Sequence, residues 1–352
     1  MSSGFDASEP ARALVVSDAW HPQINGVVRT LEWMVREAPK FGVDLRVLGS
    51  SSFRTVPMPS YPEIRLAVAA PRAIRRAIRA EAPRAIHIAT EGPLGSVARR
   101  FCLKHGLGFT TSYHTRFPEY VAARWPIPLS WSYGYMRRFH SAATACMVAT
   151  QTLEDNLRQR GFTNLVRWSR GVDLDVYYPR PRIALPYPKP VFIYVGRVAV
   201  EKNLEAFLDL DLPGTKLIVG GGPALGSLRS RYPDAEFVGP KTGEELAEYY
   251  AGSDVFVFPS RTDTFGIVLL EAAASGLPVA AYPVMGPRDV ITDPKVGVLS
   301  DDLQAACLAA LELNSEDCVA FAQRHGWQNS AKAFFDHLYP LKADWSVPSY
   351  DH

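Results

Sequence analysis

Arg261-Thr262-Asp263-Thr264-Phe265-Gly266 runs directly into Ile267-Val268-Leu269-Leu270-Glu271, and this stretch decides the fold. It follows Val255-Phe256-Val257-Phe258, a continuous apolar run of the kind a strand buried on both faces requires. It ends at Ser275-Gly276, just before Pro278, where a helix would stop. Strand, tight turn and helix make the repeating unit of an α/β protein. Backbone N–H groups from Thr264 to Ile267 then point off a helix N-terminus, which favours an anion or a hydroxyl. Gly266 lets a ligand approach the backbone closely. Glu271 lies one turn beyond Ile267 and faces the same side. Asp263 and Glu271 therefore bracket the turn as two carboxylates suited to the hydroxyls of a sugar and a ribose. The plain alternative is that Asp263 caps the helix while Glu271 pairs with a surface cation.

The same rhythm extends in both directions. Apolar runs at Ala13–Val16, Leu45–Leu48, Ile86–Ile88, Phe109–Tyr113, Met147–Val148 and Leu165–Trp168 alternate with helical patterns such as Val28–Ala38, Arg72–Glu81 and Gly95–Lys104. Later runs at Val191–Val195, Lys216–Val219, Glu236–Val238, Val279–Ala281 and Val296–Leu299 repeat the pattern. Both halves thus predict a parallel sheet covered by helices on both faces. Pro179, Pro181, Pro186, Pro188 and Pro190 suit neither helix nor central strand and mark a linker. The expected fold class is α/β, with two doubly wound Rossmann-like domains, 1–180 and 181–330. A C-terminal helix at about 330–352 is expected to pack back on the first. Ligands of such sheets bind beyond the carboxyl ends of the strands, here in a cleft between the domains.

Composition agrees. The 352 residues, 47% apolar and 21% charged, suit two packed domains rather than a disordered chain. No apolar stretch approaches the length of a membrane span, and the first dozen residues carry Asp6, Glu9 and Arg12 without an apolar block. Cys102, Cys146, Cys307 and Cys318 lack metal-ligand spacing and read as buried thiols of a reducing, cytoplasmic compartment. Residues 1–180 hold 24 Lys and Arg against 14 Asp and Glu, while residues 181–352 hold 14 against 22. The basic half suits an anionic partner. Nucleic acid is not expected, because no zinc finger, aromatic RNA-binding signature or long basic run occurs.

A second candidate segment is Val195-Gly196-Arg197 followed by Glu201-Lys202-Asn203. Two cations at a strand-to-helix crossover suit a diphosphate. Other patterns are lookalikes. Gly220-Gly221-Gly222-Pro223 follows a strand, but Leu225 stands where a dinucleotide fingerprint needs its third glycine, which disfavours a nicotinamide-dependent oxidoreductase. Asp173-Leu174-Asp175 and Asp209-Leu210-Asp211 have the spacing of a metal-holding pair yet sit in charged turns, so no metal is expected. His114, in Tyr113-His114-Thr115-Arg116-Phe117, falls at a carboxyl strand end. Asn25-Gly26-Val27 closes the loop after the first strand.

Taken in order, these pieces resemble glycosyltransferase family 4, retaining enzymes of the GT-B fold, and among them bacterial glycolipid synthases. The resemblance also takes in Asp18-Ala19-Trp20-His21-Pro22, Thr90-Glu91-Gly92-Pro93-Leu94-Gly95 and Arg170-Gly171-Val172-Asp173. It implies that Arg197 and Lys202 neutralise a donor diphosphate and that Glu271 holds the ribose. Asp263, Thr264, Phe265, Gly266 and Ile267 would meet the transferred sugar, and His114 would line its pocket. Gly26 would close over the phosphates, with Gly196 nearby and Lys241 near the base. Position 263 departs from the family pattern, being Asp where Glu is usual. The nucleotide sugar is a substrate, so no cofactor is implied. A UDP-hexose or UDP-hexuronate is the first donor expectation and GDP-mannose the alternative; a non-catalytic sugar-nucleotide scaffold is the reading from another class.

The acceptor expectation is a membrane lipid such as diacylglycerol. Arg124–Arg138 mixes Trp125, Trp131, Tyr133 and Tyr135 with Arg137 and Arg138. The helix carrying Arg72, Arg75, Arg76 and Arg79 would add a basic face with Ile74 and Ile78. Aromatics interleaved with arginine suit peripheral contact with an anionic membrane, here the inner face of the cytoplasmic membrane. The plain alternative is that Trp125, Trp131 and Tyr135 fill the first domain's core.

Overall fold

The computed structural model describes residues 11–23, 25–58, 61–68, 71–122, 127–181, 185–263 and 265–341. The chain divides into two compact units, one running to Ser169 and resuming at Gln328, the other Arg170–Trp327.

In the first unit, strands β1 (Ala11–Ser17), β2 (Val43–Gly49), β5 (Ala85–Ile88), β6 (Thr110–Tyr113), β7 (Ala145–Val148) and β8 (Leu165–Arg167) form one sheet in the order β2-β1-β5-β6-β7-β8. Every neighbouring pair is parallel. Between β2 and β5, strands β3 (Thr55–Met58) and β4 (Tyr61–Ala67) make a separate antiparallel ribbon that the apolar pattern does not predict. The helix Trp327–His337 closes on this unit: Phe334 stacks 4.7 Å from Trp168 and 5.1 Å from His87, and Phe335 lies 5.1 Å from Phe41. Leu341 N–H then donates to Arg84 O at 2.7 Å.

The second unit repeats the plan with β9 (Val191–Val195), β10 (Thr215–Val219), β11 (Glu236–Gly239), β12 (Val255–Phe258), β13 (Val279–Ala281) and β14 (Gly297–Leu299), ordered β11-β10-β9-β12-β13-β14 and all parallel. Alternate residues Phe192, Tyr194, Val255 and Val257 join Phe207, Leu208 and Cys307 in one core cluster, as the two-residue period of a strand requires. All four cysteines are free and buried, and burial pushes the thiols of Cys102, Cys307 and Cys318 up to about 12.

The junction at Ser169–Arg170 comes ten residues before the proline-rich stretch. Val172 N–H donates to His325 O at 2.9 Å and Val172 bridges to Gly326, while Arg180 pairs with Glu244 at 2.5 Å. These contacts hold residues 170–181 in the second unit, so the prolines lie inside it rather than between the units.

Strand order in the second unit reverses between the adjacent strands β9 and β12, since β10 and β11 lie to one side and β13 and β14 to the other. That switch point leaves a crevice at the carboxyl ends of β9 and β12. Of Gly220-Gly221-Gly222, the first and third serve this edge by close approach, whereas a Cβ on Gly221 meets nothing nearer than Pro240 at 3.7 Å. A Cβ on Gly220 (φ +151°) would sit 1.8 Å from Gly196 O, and one on Gly222 2.4 Å from Val198 O.

Candidate active site

Two loops flank the switch point. Gly196–Asn203 leaves β9, and Pro259–Gly266 leaves β12. Three side-chain links join them. Lys202 Nζ lies 2.5 Å from Asp263 Oδ1, Thr262 Oγ1 donates to Glu201 O at 3.2 Å, and Asn203 Nδ2 donates to Pro259 O at 3.1 Å. Asn203 is left-handed (φ 54°, ψ 37°), a conformation asparagine tolerates better than most residues. The Lys202 and Asp263 side chains keep only 20% and 17% of their surface exposed. Asp263 Oδ2 is buried and has no hydrogen-bond partner among the described residues.

Arg197 is half-buried on the β9 loop, its carbonyl accepting from Tyr194 Oη at 2.9 Å. Burial, and behind it the Asp263 and Glu201 carboxylates, push the Tyr194 hydroxyl well up, so it stays a donor. Gly266 adopts φ 86°, ψ 77° at the start of the helix Ile267–Ala274, where a Cβ would approach Phe258 to 3.0 Å. Phe265 is buried beside it, Ile267 opens the helix, and Thr264 lies outside the described residues. The N-cap position is thus Gly266 and not Asp263. Glu271 is 3% exposed, no surface side chain, and accepts from Tyr250 Oη at 3.2 Å.

Other sequence candidates are placed as follows. Lys241, after β11, pairs with Glu245 and lies 5.7 Å from the Tyr249 ring. Arg261 stacks over Tyr282 at 3.6 Å, with Asp301 at 3.9 Å. Asp173 makes a local turn by accepting from Asp175 N–H at 3.1 Å, and Asp209 accepts from Tyr232 Oη at 2.5 Å. A separate pocket of about 370 Å³, lined in part by Pro190, Asp254 and Pro278, opens at the amino ends of β9, β12 and β13, away from these loops.

The first unit carries its own set at the carboxyl ends of its strands. Gly26 opens the helix Gly26–Glu37, whose cap Asn25 accepts from Val27 and Val28 N–H at 3.0 and 3.1 Å. His114 follows β6 half-buried, its ring 5.8 Å from Trp168. Asp18, quoted in the sequence only as part of a motif, is 5% exposed and holds the start of the helix Pro93–Lys104 through Leu94 N–H at 3.0 Å, with Thr90 Oγ1 donating at 2.9 Å. Burial raises its carboxyl above the ordinary range, against those hydrogen bonds. Sequence reasoning also missed Tyr250, for which no local signal exists, and the side-chain role of Asn203, for which the left-handed preference of asparagine was a signal.

The helix Leu129–His140 presents Trp131, 74% exposed, and Tyr135, 48% exposed, one turn apart. They do not fill the core; Tyr133 and Met136 do. Arg138 continues the exposed face, and Arg137 is exposed while donating to Arg160 O at 3.2 Å. Trp125 lies outside the described residues. The helix Pro71–Glu81 requires a correction. Ile74 and Ile78 are 1% and 0% exposed and belong to the core cluster with Ile86 and Phe101. The isoleucines are therefore absent from its outer face, where Arg72 and Arg76 are exposed beside Pro71, Ala73 and Ala80, with Arg75 half-buried and Arg79 half-buried over Phe101 at 5.9 Å. No helix among the described residues is long and apolar enough to cross a membrane.

Residues 24–176 match the domain described as Glycosyltransferase Family 4, and residues 189–315 the domain described as Glycosyl transferases group 1. The chain belongs to glycosyltransferase family 4. A GDP-mannose-dependent alpha-mannosyltransferase of Mycobacterium tuberculosis is 30% identical over 315 residues, covering 82% of this chain and 83% of that one. The sulfoquinovosyl transferase SQD2 of Arabidopsis thaliana is 35% identical over 272 residues, covering 72% of this chain; the match spans about half (52%) of the plant protein. Among solved structures, sucrose-phosphate synthase from Thermosynechococcus elongatus superposes with a TM-score of 0.74 at 20% identity, covering 92% of this chain and 97% of that one. The two six-stranded parallel sheets are those of a GT-B glycosyltransferase, and this chain is a transferase of that kind.

Proposed function

We propose that this glycosyltransferase moves a hexosyl unit, with retention, from a nucleoside diphosphate sugar to the hydroxyl of a membrane lipid such as diacylglycerol. Arg197, Lys202 and the first-turn amides of the helix Ile267–Ala274 face the charge that builds on the leaving diphosphate, the term that usually dominates such catalysis. The buried Glu271 carboxylate holds the ribose, Lys241 lies near the base, and Asp263 meets the sugar. On the first unit, the family resemblance assigns His114 to the sugar and Gly26 to the phosphates. With these cations doing the electrostatic work, turnover is independent of added metal.

The observation that carries the acceptor reading is the exposed face of Trp131 and Tyr135 with Arg138, set beside a basic first unit. Amphipathic aromatic rings with cationic neighbours favour the headgroup region of an anionic bilayer, which supports a peripheral position on the inner face of the cytoplasmic membrane. In a vesicle co-sedimentation assay, wild type is expected to pellet with anionic vesicles and not with neutral ones. Trp131→Ala combined with Tyr135→Ala should lower the bound fraction at least fivefold, at unchanged thermal stability. Equal binding of wild type and double variant would overturn the reading.

Two donors stand. A UDP-hexose or UDP-hexuronate is the first, Arg261, two residues before Asp263 in the chain, bearing a guanidinium that suits a carboxylate on the sugar. GDP-mannose is the second, favoured by the mannosyltransferase relative that matches over more than four fifths of both chains. Turnover of UDP-glucose, UDP-glucuronic acid, UDP-galactose and GDP-mannose on diacylglycerol, in excess EDTA, is expected to single out one donor. Absence of turnover with all four would overturn the diacylglycerol assignment, and activity restored only by Mg²⁺ or Mn²⁺ would overturn the metal-independent route.

A further inference from the structure

Sugar transfer changes the charge beside Lys202. Breaking the bond between the anomeric carbon and the β-phosphate oxygen, and forming one from that carbon to the acceptor oxygen, frees the acceptor's proton to solvent. The diphosphate is left with a terminal phosphate that ionises once more than the sugar ester did, its second pKa being about 6. Cations placed to stabilise the leaving group therefore hold the product more tightly than the donor. Such a site needs a counterweight, and the carboxylate of Asp263 is placed to be one. Asp263 Oδ1 lies 2.5 Å from Lys202 Nζ, both side chains are four-fifths or more covered, and the links Thr262–Glu201 and Asn203–Pro259 hold the two loops so that neither partner can drift away.

We propose that Asp263 is the counter-ion that sheds the nucleoside diphosphate: it reclaims Lys202 as the sugar leaves and so weakens product binding. This rests on the donor reading above. While the donor is bound, Asp263 Oδ2, buried and with no hydrogen-bond partner among the described residues, accepts from a sugar hydroxyl. Once the sugar has gone, the carboxylate has only Lys202 left to neutralise it, and it competes with the β-phosphate for the same ammonium. The shorter side chain suits this role, because aspartate reaches Lys202 from its own loop with little freedom to turn elsewhere.

The test is calorimetric binding of UDP and of GDP to wild type, Asp263→Asn, Lys202→Ala and the double variant. Asparagine keeps the shape and the accepting oxygen and removes only the charge. Asp263→Asn is expected to tighten the diphosphate that wild type binds by about tenfold, and to lower kcat while product release becomes limiting. In the Lys202→Ala background the same change should alter affinity less than threefold. A general loss of structure loosens ligands and cannot produce tighter binding. Unchanged or weaker binding by Asp263→Asn overturns this role for Asp263 alone. If wild type binds neither diphosphate, the donor reading falls and this proposal with it.

Discussion

Lys202→Ala is expected to lower kcat by about 10²-fold or more while the melting temperature moves by no more than a few degrees. The site is built to meet charge on a leaving diphosphate, and removing one preorganised cationic contact costs roughly 3 kcal/mol of transition-state stabilisation. Arg197→Ala should likewise lower kcat by about 10²-fold. Single-turnover rates at saturating donor, with melting curves as the check on folding, measure both. Turnover near wild type in both variants would remove these residues from the chemistry.

Gly220→Ala is expected to be the most damaging single change in the second unit. The added Cβ would meet Gly196 O at 1.8 Å, backbone against backbone, with no rotamer able to relieve it. Gly220 N–H is bonded to Gly239 O at 2.9 Å and Gly196 N–H to Val219 O at 3.0 Å, so neither strand end can retreat without breaking the ladder. Overpacking of this severity costs about 3 kcal/mol or more, which for a unit of this size lowers Tm by roughly 6–12 °C. Gly226→Ala is the contrast: in the helix Leu225–Arg231, where a Cβ meets nothing within 4 Å, it should stabilise by about 0.5–1 kcal/mol. Thermal unfolding of the two alanine variants gives opposite signs if the close approach is what matters.

The sheets were legible because most strands carry a short apolar run, which a layer buried on both faces demands, even though Asp44 and Arg46 interrupt β2 and β6 reads Thr110-Thr111-Ser112-Tyr113. The ribbon Thr55–Ala67 was not, since Pro57, Pro59 and Pro62 fall within it, and prolines are tolerated where a strand lies at an edge or outside the main sheet. The helix Leu129–His140 was hidden by Gly134 and its aromatics, which read as interfacial composition rather than as a helical period. In the site, the loop positions could be read because glycines and cations cluster there in sequence. Pairings could not. Tyr250 and Glu271 are 21 residues apart, Lys202 and Asp263 61, and in each case only the strand order at the switch point brings the partners within reach. The domain junction failed for the same reason: Val172 finds Gly326 across most of the second unit, whereas prolines advertise themselves locally.

The return of the helix Trp327–His337 to the first unit bears on how the protein is made. The second unit is one unbroken segment and can be emitted and folded as such, but the first is opened after Ser169 and closed only from Gln328 onward. On a ribosome adding about 5–20 residues per second, the first unit waits on the order of 10 s or more with Trp168 and His87 lacking the cover of Phe334. The half translated first is thus the half completed last. A fragment that ends near Ser169 holds every strand of the first sheet but lacks the helix that covers Trp168 and His87, and the natural unit for separate expression is Arg170–Trp327.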